Sequence, residues 1–191
     1  MSKGTKTALI IVGVILLIGF MTFSWFKNGY NNAVILDEGV KSSWAQVENQ
    51  LKRRYDLLPN LIETVKGYAT HEKDLFENIA QARTKYFQAG SVKGKVEASN
   101  KLEGFLSRLL VLKEAYPDLK ANQSFLKLQD TLEGTENRIA VERKRYNDAV
   151  RMLNTFTRTF FGRMFASFAG VEKAEYYEIP EAEKAVPQVK F

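Results

Sequence analysis

FLKLQDTLEGTENRIAVERKRYNDAVRMLNTFTRTF, residues 125–160, places an apolar or aromatic side chain at every seventh position: Phe125, Leu132, Ile139, Tyr146, Leu153 and Phe160. Two turns of α-helix take about 7.2 residues, so this spacing holds one stripe of a long helix against the same neighbours. Leu128, Val150 and Phe156 widen the stripe, and Asn122 stands ahead of it as an N-cap residue. Thr135 and Glu142 occupy the alternate grid positions, which makes the seam polar midway and requires partners for those groups.

The same period extends toward the N-terminus. Val40, Trp44, Val47, Leu51, Tyr55, Leu58, Ile62, Val65 and Ala69 are separated by three or four residues, the mark of an amphipathic helix. Pro59 removes the amide that would bond to the Tyr55 carbonyl, and a kink is expected there rather than a stop. Leu75, Phe76, Ile79, Ala82, Tyr86 and Phe87 continue the stripe to Gln88, before Ala89-Gly90-Ser91 and Gly94 break it. One helix over 40–88 is therefore expected, and a second over 95–116 on Val96, Leu102, Phe105, Leu106, Leu109, Leu110 and Val111, ended by Pro117. No stretch alternates apolar and polar residues between turn signals, so no sheet is expected. The fold class is all-α: an antiparallel bundle of three main helices, with a fourth short one from the tail as an option. The domain is expected over 30–161, with a partly ordered tail over 162–191 whose end is loose.

Ahead of the domain, after a short basic N-terminus (1–7), residues 8–26 read ALIIVGVILLIGFMTFSWF, nineteen residues without a charge. As a helix this run covers about 28 Å, close to the hydrocarbon thickness of a bilayer. A cleaved signal peptide is the competing reading, given Lys3 and Lys6. Its apolar region is normally shorter and ends in small residues, whereas this run ends in Trp25 and Phe26 followed by Lys27, the residue types of a membrane interface. A membrane anchor is expected, with a juxtamembrane turn at Asn28-Gly29. The amino terminus, Lys3 and Lys6 on one side against Lys27 and Lys41 on the other lean slightly toward a cytoplasmic N-terminus and a domain outside the cytoplasm.

The chain has 28 basic and 22 acidic residues, one histidine and no cysteine. Disulfides, thiol nucleophiles and thiolate metal sites are excluded. His71 alone cannot supply a paired-histidine metal motif, and no glycine-rich phosphate loop or nucleophile elbow is present. The net charge of +6 forms no basic block with interleaved aromatics, so nucleic acid is not an expected partner, and no cofactor is expected. Two polar clusters lie at helix breaks: Arg53, Arg54, Asp56, Asn60 and Glu63 around Pro59, and Glu114, Tyr116 and Asp118 around Pro117. Asp56, Asp118 or Glu114 could hold the guanidinium groups in a structural role, and docking of a partner is the functional alternative.

Four segments carry a resemblance to the LemA family of bacterial membrane proteins: YNNAVILDEGVKSSWAQVENQLKRR (30–54), RRYDLLPNLIETVKGYATHE (53–72), EAYPDLKAN (114–122) and LEGTENRIAVERKRYN (132–147). The resemblance implies an anchor placed directly before an antiparallel bundle in the bacterial envelope and a link to shaping internal membranes in magnetosome-forming bacteria; it brings no enzymatic activity with it, because the family's biochemical role is poorly defined. Its motif positions fall on Arg53, Arg54, Asp56, Pro59, Asn60, Glu63, Lys66, His71, Glu72, Tyr116, Pro117, Asp118, Asn122, Glu136, Arg138, Arg143, Tyr146 and Asn147. Attachment of a lipid through cysteine is closed to this chain.

These readings converge on a single-pass protein of the bacterial inner membrane whose bundle is an interaction or scaffold module, partnered by the bilayer and by its own copies or other envelope proteins. A peptide or ligand sensor, with its cleft between the Pro59 and Pro117 breaks, is the alternative. An enzyme is the least favoured class.

Overall fold

The computed structural model describes residues 3–178 and is helical, with no strand among the described residues. The elements are α1 (Lys3–Lys66), α2 (Lys73–Gln88), α3 (Val92–Val111), a 3-10 turn (Leu112–Glu114), α4 (Pro117–Lys120), α5 (Gln123–Arg158) and α6 (Phe160–Ala169). Met1, Ser2 and the end of the tail, expected to be loose, lie outside the described residues. Two compact units are present: one takes the chain up to Ser42 with Asp148–Ala174, the other takes Ser43–Asn147 with the chain from Glu175.

In the second unit, pairs of residues in contact give the direction of each helix. Trp44 meets Tyr146, Arg54 meets Glu136 and Tyr68 meets Asn122, so α5 runs antiparallel to α1. Glu48 pairs with Lys95, while Arg54 shares a cavity lining with Glu103 and Leu106, so α3 runs with α1. Tyr55 stacks near Tyr86, and Ile62 and Lys66 share a groove with Lys73 and Phe76, so α2 runs against it. The result is an up-down-up-down bundle of four helices. Its core holds Val47, Leu51, Tyr55, Leu58, Leu61 and Val65 of α1, Ile79 of α2, Leu102 and Leu109 of α3, Leu119 of α4, and Phe125, Leu132, Ile139 and Tyr146 of α5.

The single helix expected over 40–88 is thus two. The chain leaves α1 after Lys66 and turns through 67–72, with the amides of Tyr68 and Ala69 both donating to the Val65 carbonyl. Val65 and Ala69 close the core's end and Leu75 and Phe76 reopen it; the step from Ala69 to Leu75 is six residues, across the polar stretch 70–74, and marks the turn between two stripes that each keep the three-or-four spacing. Pro59 lies inside α1 without ending it, as expected, and beyond it Leu61 rather than Ile62 is the fully buried residue. The helix expected over 95–116 runs over Val92–Val111 and gives way to the 3-10 turn, while Pro117 sits at the start of α4. The fourth bundle helix therefore comes from the fold-back at 67–72, not from the tail.

The first unit contains the apolar head of α1. No turn interrupts the helix at Asn28-Gly29; a β-carbon on Gly29 would lie 2.2 Å from the Phe165 ring, so this glycine makes room for a neighbour instead of bending the chain. α5 stops at Arg158 because Thr159 is extended (ψ 156°) and its hydroxyl accepts from the Gly162 amide at 3.1 Å, capping α6. That break takes Phe160 off the seven-residue grid, and its side chain is 86% exposed. α6 ends at Gly170, whose φ of 66° is left-handed backbone that favours glycine.

Candidate functional site

Of the first polar cluster, only Arg54 turns inward. Its guanidinium donates to the Glu136 carboxylate at 2.6 Å, with 7% of the arginine side chain and 33% of the glutamate side chain exposed. Arg53 and Asp56 are exposed on the neighbouring faces of α1, and the expectation that Asp56, Asp118 or Glu114 holds the arginines is not met. The partner is a carboxylate 82 residues further on, which the bundle brings across from α5. A small cavity of about 140 Å³ adjoins the pair, lined by Arg54, Glu103, Leu106, Leu132, Glu133 and Glu136 among others. Asn60 is exposed and its carbonyl accepts from the Thr64 hydroxyl, while Glu63 pairs with Lys66 one turn away.

The second cluster stays at the corner between α3 and α5. Glu114 pairs with Lys120 at 2.8 Å, and this ammonium holds the carboxyl below the usual carboxylate range. Tyr116 is half-buried and precedes Pro117 with non-helical backbone (φ −126°, ψ 88°), and Asp118 is exposed. What joins this corner to the end of α1 is Asn122: its side-chain oxygen accepts from the Phe125 amide, capping α5 as expected, and its amide nitrogen donates to the Tyr68 hydroxyl.

Beside Pro59 lies a groove of about 770 Å³ between α1 and α2. Leu58, Ile62, Phe76, Ile79 and Ala80 contribute its apolar lining, and Glu63, Lys66, Lys73, Glu77 and Arg83 add charged groups. Tyr116 and Pro117 do not line it. The sequence signal for this groove was the proline itself; the fold-back at 67–72 supplies its second wall.

A set of buried aromatics fills the other end of this bundle. Tyr55 and Tyr86 lie 4.3 Å apart by ring centroids, and Trp44 packs at 5.3 Å on Tyr146 and at 6.4 Å on Tyr177. Burial raises the phenols of Tyr55, Tyr86 and Tyr177, and pushes that of Tyr146 up to about 12. Tyr177 is held there by an amide clamp that sequence reading missed: the Tyr177 N–H donates to the Asn147 side-chain oxygen (2.8 Å), and the Asn147 side-chain nitrogen donates to the Tyr177 carbonyl (3.0 Å). Tyr146 donates to the Glu175 carbonyl, and Asn100 to that of Glu178. In the first unit, Asn154 clamps Ala174 in the same two-bond manner. The available signal was two asparagines, each directly following a grid position of α5.

Residues Leu9–Phe23 of the apolar run expose their large apolar side chains on all sides, with Leu16 and Phe20 among the most open. At the end of the run, Trp25 packs edge-on against Phe161 (5.1 Å) and Phe165 (4.9 Å), and Phe26 against Phe165 (5.7 Å) and Phe168 (5.3 Å). Lys27, the other expected interface residue, is exposed. Among the described residues, no group of three or more His, Asp or Glu is placed to hold a metal ion.

These features define a class: an all-helical protein whose N-terminal helix carries an exposed apolar head long enough to cross a membrane, followed by a four-helix bundle. The LemA family model matches residues 43–191, and the chain belongs to the LemA family. It is similar to Magnetosome protein MamQ 2 of Paramagnetospirillum magneticum, 22% identical over 204 residues that cover 93% of this chain and 74% of that protein. Magnetosome protein MamQ of Magnetospirillum gryphiswaldense matches at 22% identity, over 93% of this chain and 74% of its own. Protein LemA of Metamycoplasma hominis is 24% identical over 95% of this chain and 83% of its own.

Proposed function

We propose that this protein is a single-pass component of the bacterial cell membrane whose bundle is an interaction module, associating with its own copies in an arrangement that organises the membrane around it. The groove between α1 and α2 carries the reading. An apolar floor of Leu58, Ile62, Phe76 and Ile79 edged by charges of both signs is the form in which helices and extended segments are recognised. The magnetosome proteins among its relatives are in keeping with a role at a membrane. A domain outside the cytoplasm is the side toward which the charges flanking the apolar run lean slightly.

The test is a photo-crosslinking residue placed at Ile62 or Ala80 of the full chain, activated in cells, beside the mass of the detergent-solubilised protein. Self-association gives a cross-linked species at twice the chain mass and a solution mass above the monomer. A strict monomer that cross-links to nothing sinks the proposal. Protease protection in intact cells with a tag after Phe191 assigns the side: a tag cut from outside supports the extracytoplasmic domain. The groove also favours a second reading, a peptide or ligand sensor. Binding of a peptide that raises the unfolding temperature of the wild type but not of Ile62→Asp is its expected signature.

A further inference from the structure

We infer that α6 is a second membrane contact, a short interfacial helix that sinks Phe160, Phe161 and Phe168 into the lipid beside the end of the anchor. The inference rests on residues 8–26 spanning the bilayer. α6 divides its ten residues into three faces. Gly162, Phe165 and Ala166 are buried, with Phe165 seated against Gly29. Arg163 and Ser167, four apart, share an exposed polar edge. Phe160, Met164 and Phe168 recur at intervals of four along a further stripe, next to Phe161, and the three phenylalanines are 86%, 53% and 64% exposed. Such an apolar stripe on a helix that already buries another face calls for an occupant.

Lipid is the occupant indicated by continuity. The rings of Phe161, Phe165 and Phe168 pack on Trp25 and Phe26, which are the last two residues of the apolar run and therefore stand where a spanning helix leaves the hydrocarbon. α6 is thereby held at the depth where aromatic side chains partition best, and its stripe extends an apolar surface already assigned to the bilayer. Lys27 and Arg163 place cations at the same level, suited to anionic headgroups. The helix break at Thr159 gives the stripe this setting: a continued α5 would have carried Phe160 along its own grid.

The chain has no cysteine, so single substitutions Phe160→Cys, Phe168→Cys, Phe23→Cys and Ile15→Cys each give one labelling site in the full-length protein. With an environment-sensitive fluorophore attached, and reconstitution into phosphatidylcholine–phosphatidylglycerol vesicles, quenchers fixed at the headgroup level and at mid-chain report depth. The expected result is loss of emission at 160 and 168 with the shallow quencher, matching that at 23, and loss at 15 with the deep one. Quenching at 15 and 23 without quenching at 160 and 168 overturns the inference and leaves the anchor standing. An absence of quenching at all four sites overturns both. Labels at 160 and 168 that escape lipid quenchers but form cross-links between two chains show that a second copy covers the stripe, and this also overturns the inference.

Discussion

Arg54 of α1 and Glu136 of α5 are 82 residues apart in sequence and 2.6 Å apart in the bundle, and the two are not equally hidden: 7% of the arginine side chain is exposed against 33% of the glutamate. The asymmetry decides which deletion is costly. Glu136→Ala strands a guanidinium in the core and is expected to destabilise by about 3 kcal/mol, whereas Arg54→Met leaves a carboxylate that water can reach and costs about 1 kcal/mol. Urea denaturation of the full chain in detergent, followed by far-UV circular dichroism, measures both. Equal losses, or a larger loss for Arg54→Met, would contradict the account.

Gly29 is occupied by its neighbour rather than flexible. A methyl group there meets the Phe165 ring at 2.2–2.4 Å, so Gly29→Ala forces the ring away and is expected to cost about 1–3 kcal/mol of packing, despite alanine's better helix propensity. Trp25 fluorescence is the local readout, since the same ring lies 4.9 Å from the indole. Phe165→Leu in the Gly29→Ala background should recover part of the loss. An alanine variant as stable as the wild type, with unchanged Trp25 emission, would count against the contact.

What could be read from the sequence was what repeats. The stripe of α5 and the stripe of α1 up to Val65 are periodic because each helix buries one continuous face, and their burial follows the sequence grid from Phe125 to Leu153. The turn at 67–72 left one mark, the six-residue step from Ala69 to Leu75 across polar 70–74, and it was passed over because Ala69 and Leu75 cap and reopen one core and the period resumes on either side. Arg54 could not be told from Arg53 by residue type, nor Glu136 from the nearer acids, because a pair so distant in sequence is created by the bundle alone. Gly29 showed the limit in another form, since a glycine does not declare whether it frees the backbone or clears space.

The amide clamp at Asn147 is expected to fix the chain after Glu175. Asn147→Asp keeps the acceptor for the Tyr177 N–H and removes the donor to its carbonyl, a loss of about 1 kcal/mol, while Asn147→Leu removes both and costs about 2 kcal/mol. Hydrogen exchange reports this directly: the Tyr177 amide should remain protected in the aspartate variant and exchange rapidly in the leucine variant. Equal protection in all three proteins would show that the clamp does not hold this segment.

Alkali should weaken the bundle through its buried phenols. Tyr146 is almost fully buried and its hydroxyl donates to the Glu175 carbonyl at 2.7 Å, a bond that needs the proton. Burial and the nearby Glu175 push this phenol up to about 12, against about 10 in an unfolded chain. Below pH 10 both states keep the proton and the group adds no pH dependence. Above it the unfolded chain releases the proton first, so stability falls by up to about 1.4 kcal/mol per pH unit for each such group, until the folded phenol also ionises near 12. Tyr55, Tyr86 and Tyr177 are raised in the same direction and steepen the fall. Denaturation midpoints should therefore be level between pH 8 and pH 9.5 and decline between pH 10 and pH 11.5. Tyr146→Phe lowers the midpoint between pH 8 and pH 9.5 through the lost hydrogen bond, but it must also flatten the alkaline decline, because one titrating group is gone. A decline of unchanged steepness in that variant would remove Tyr146 from the explanation and leave the other three phenols to account for it.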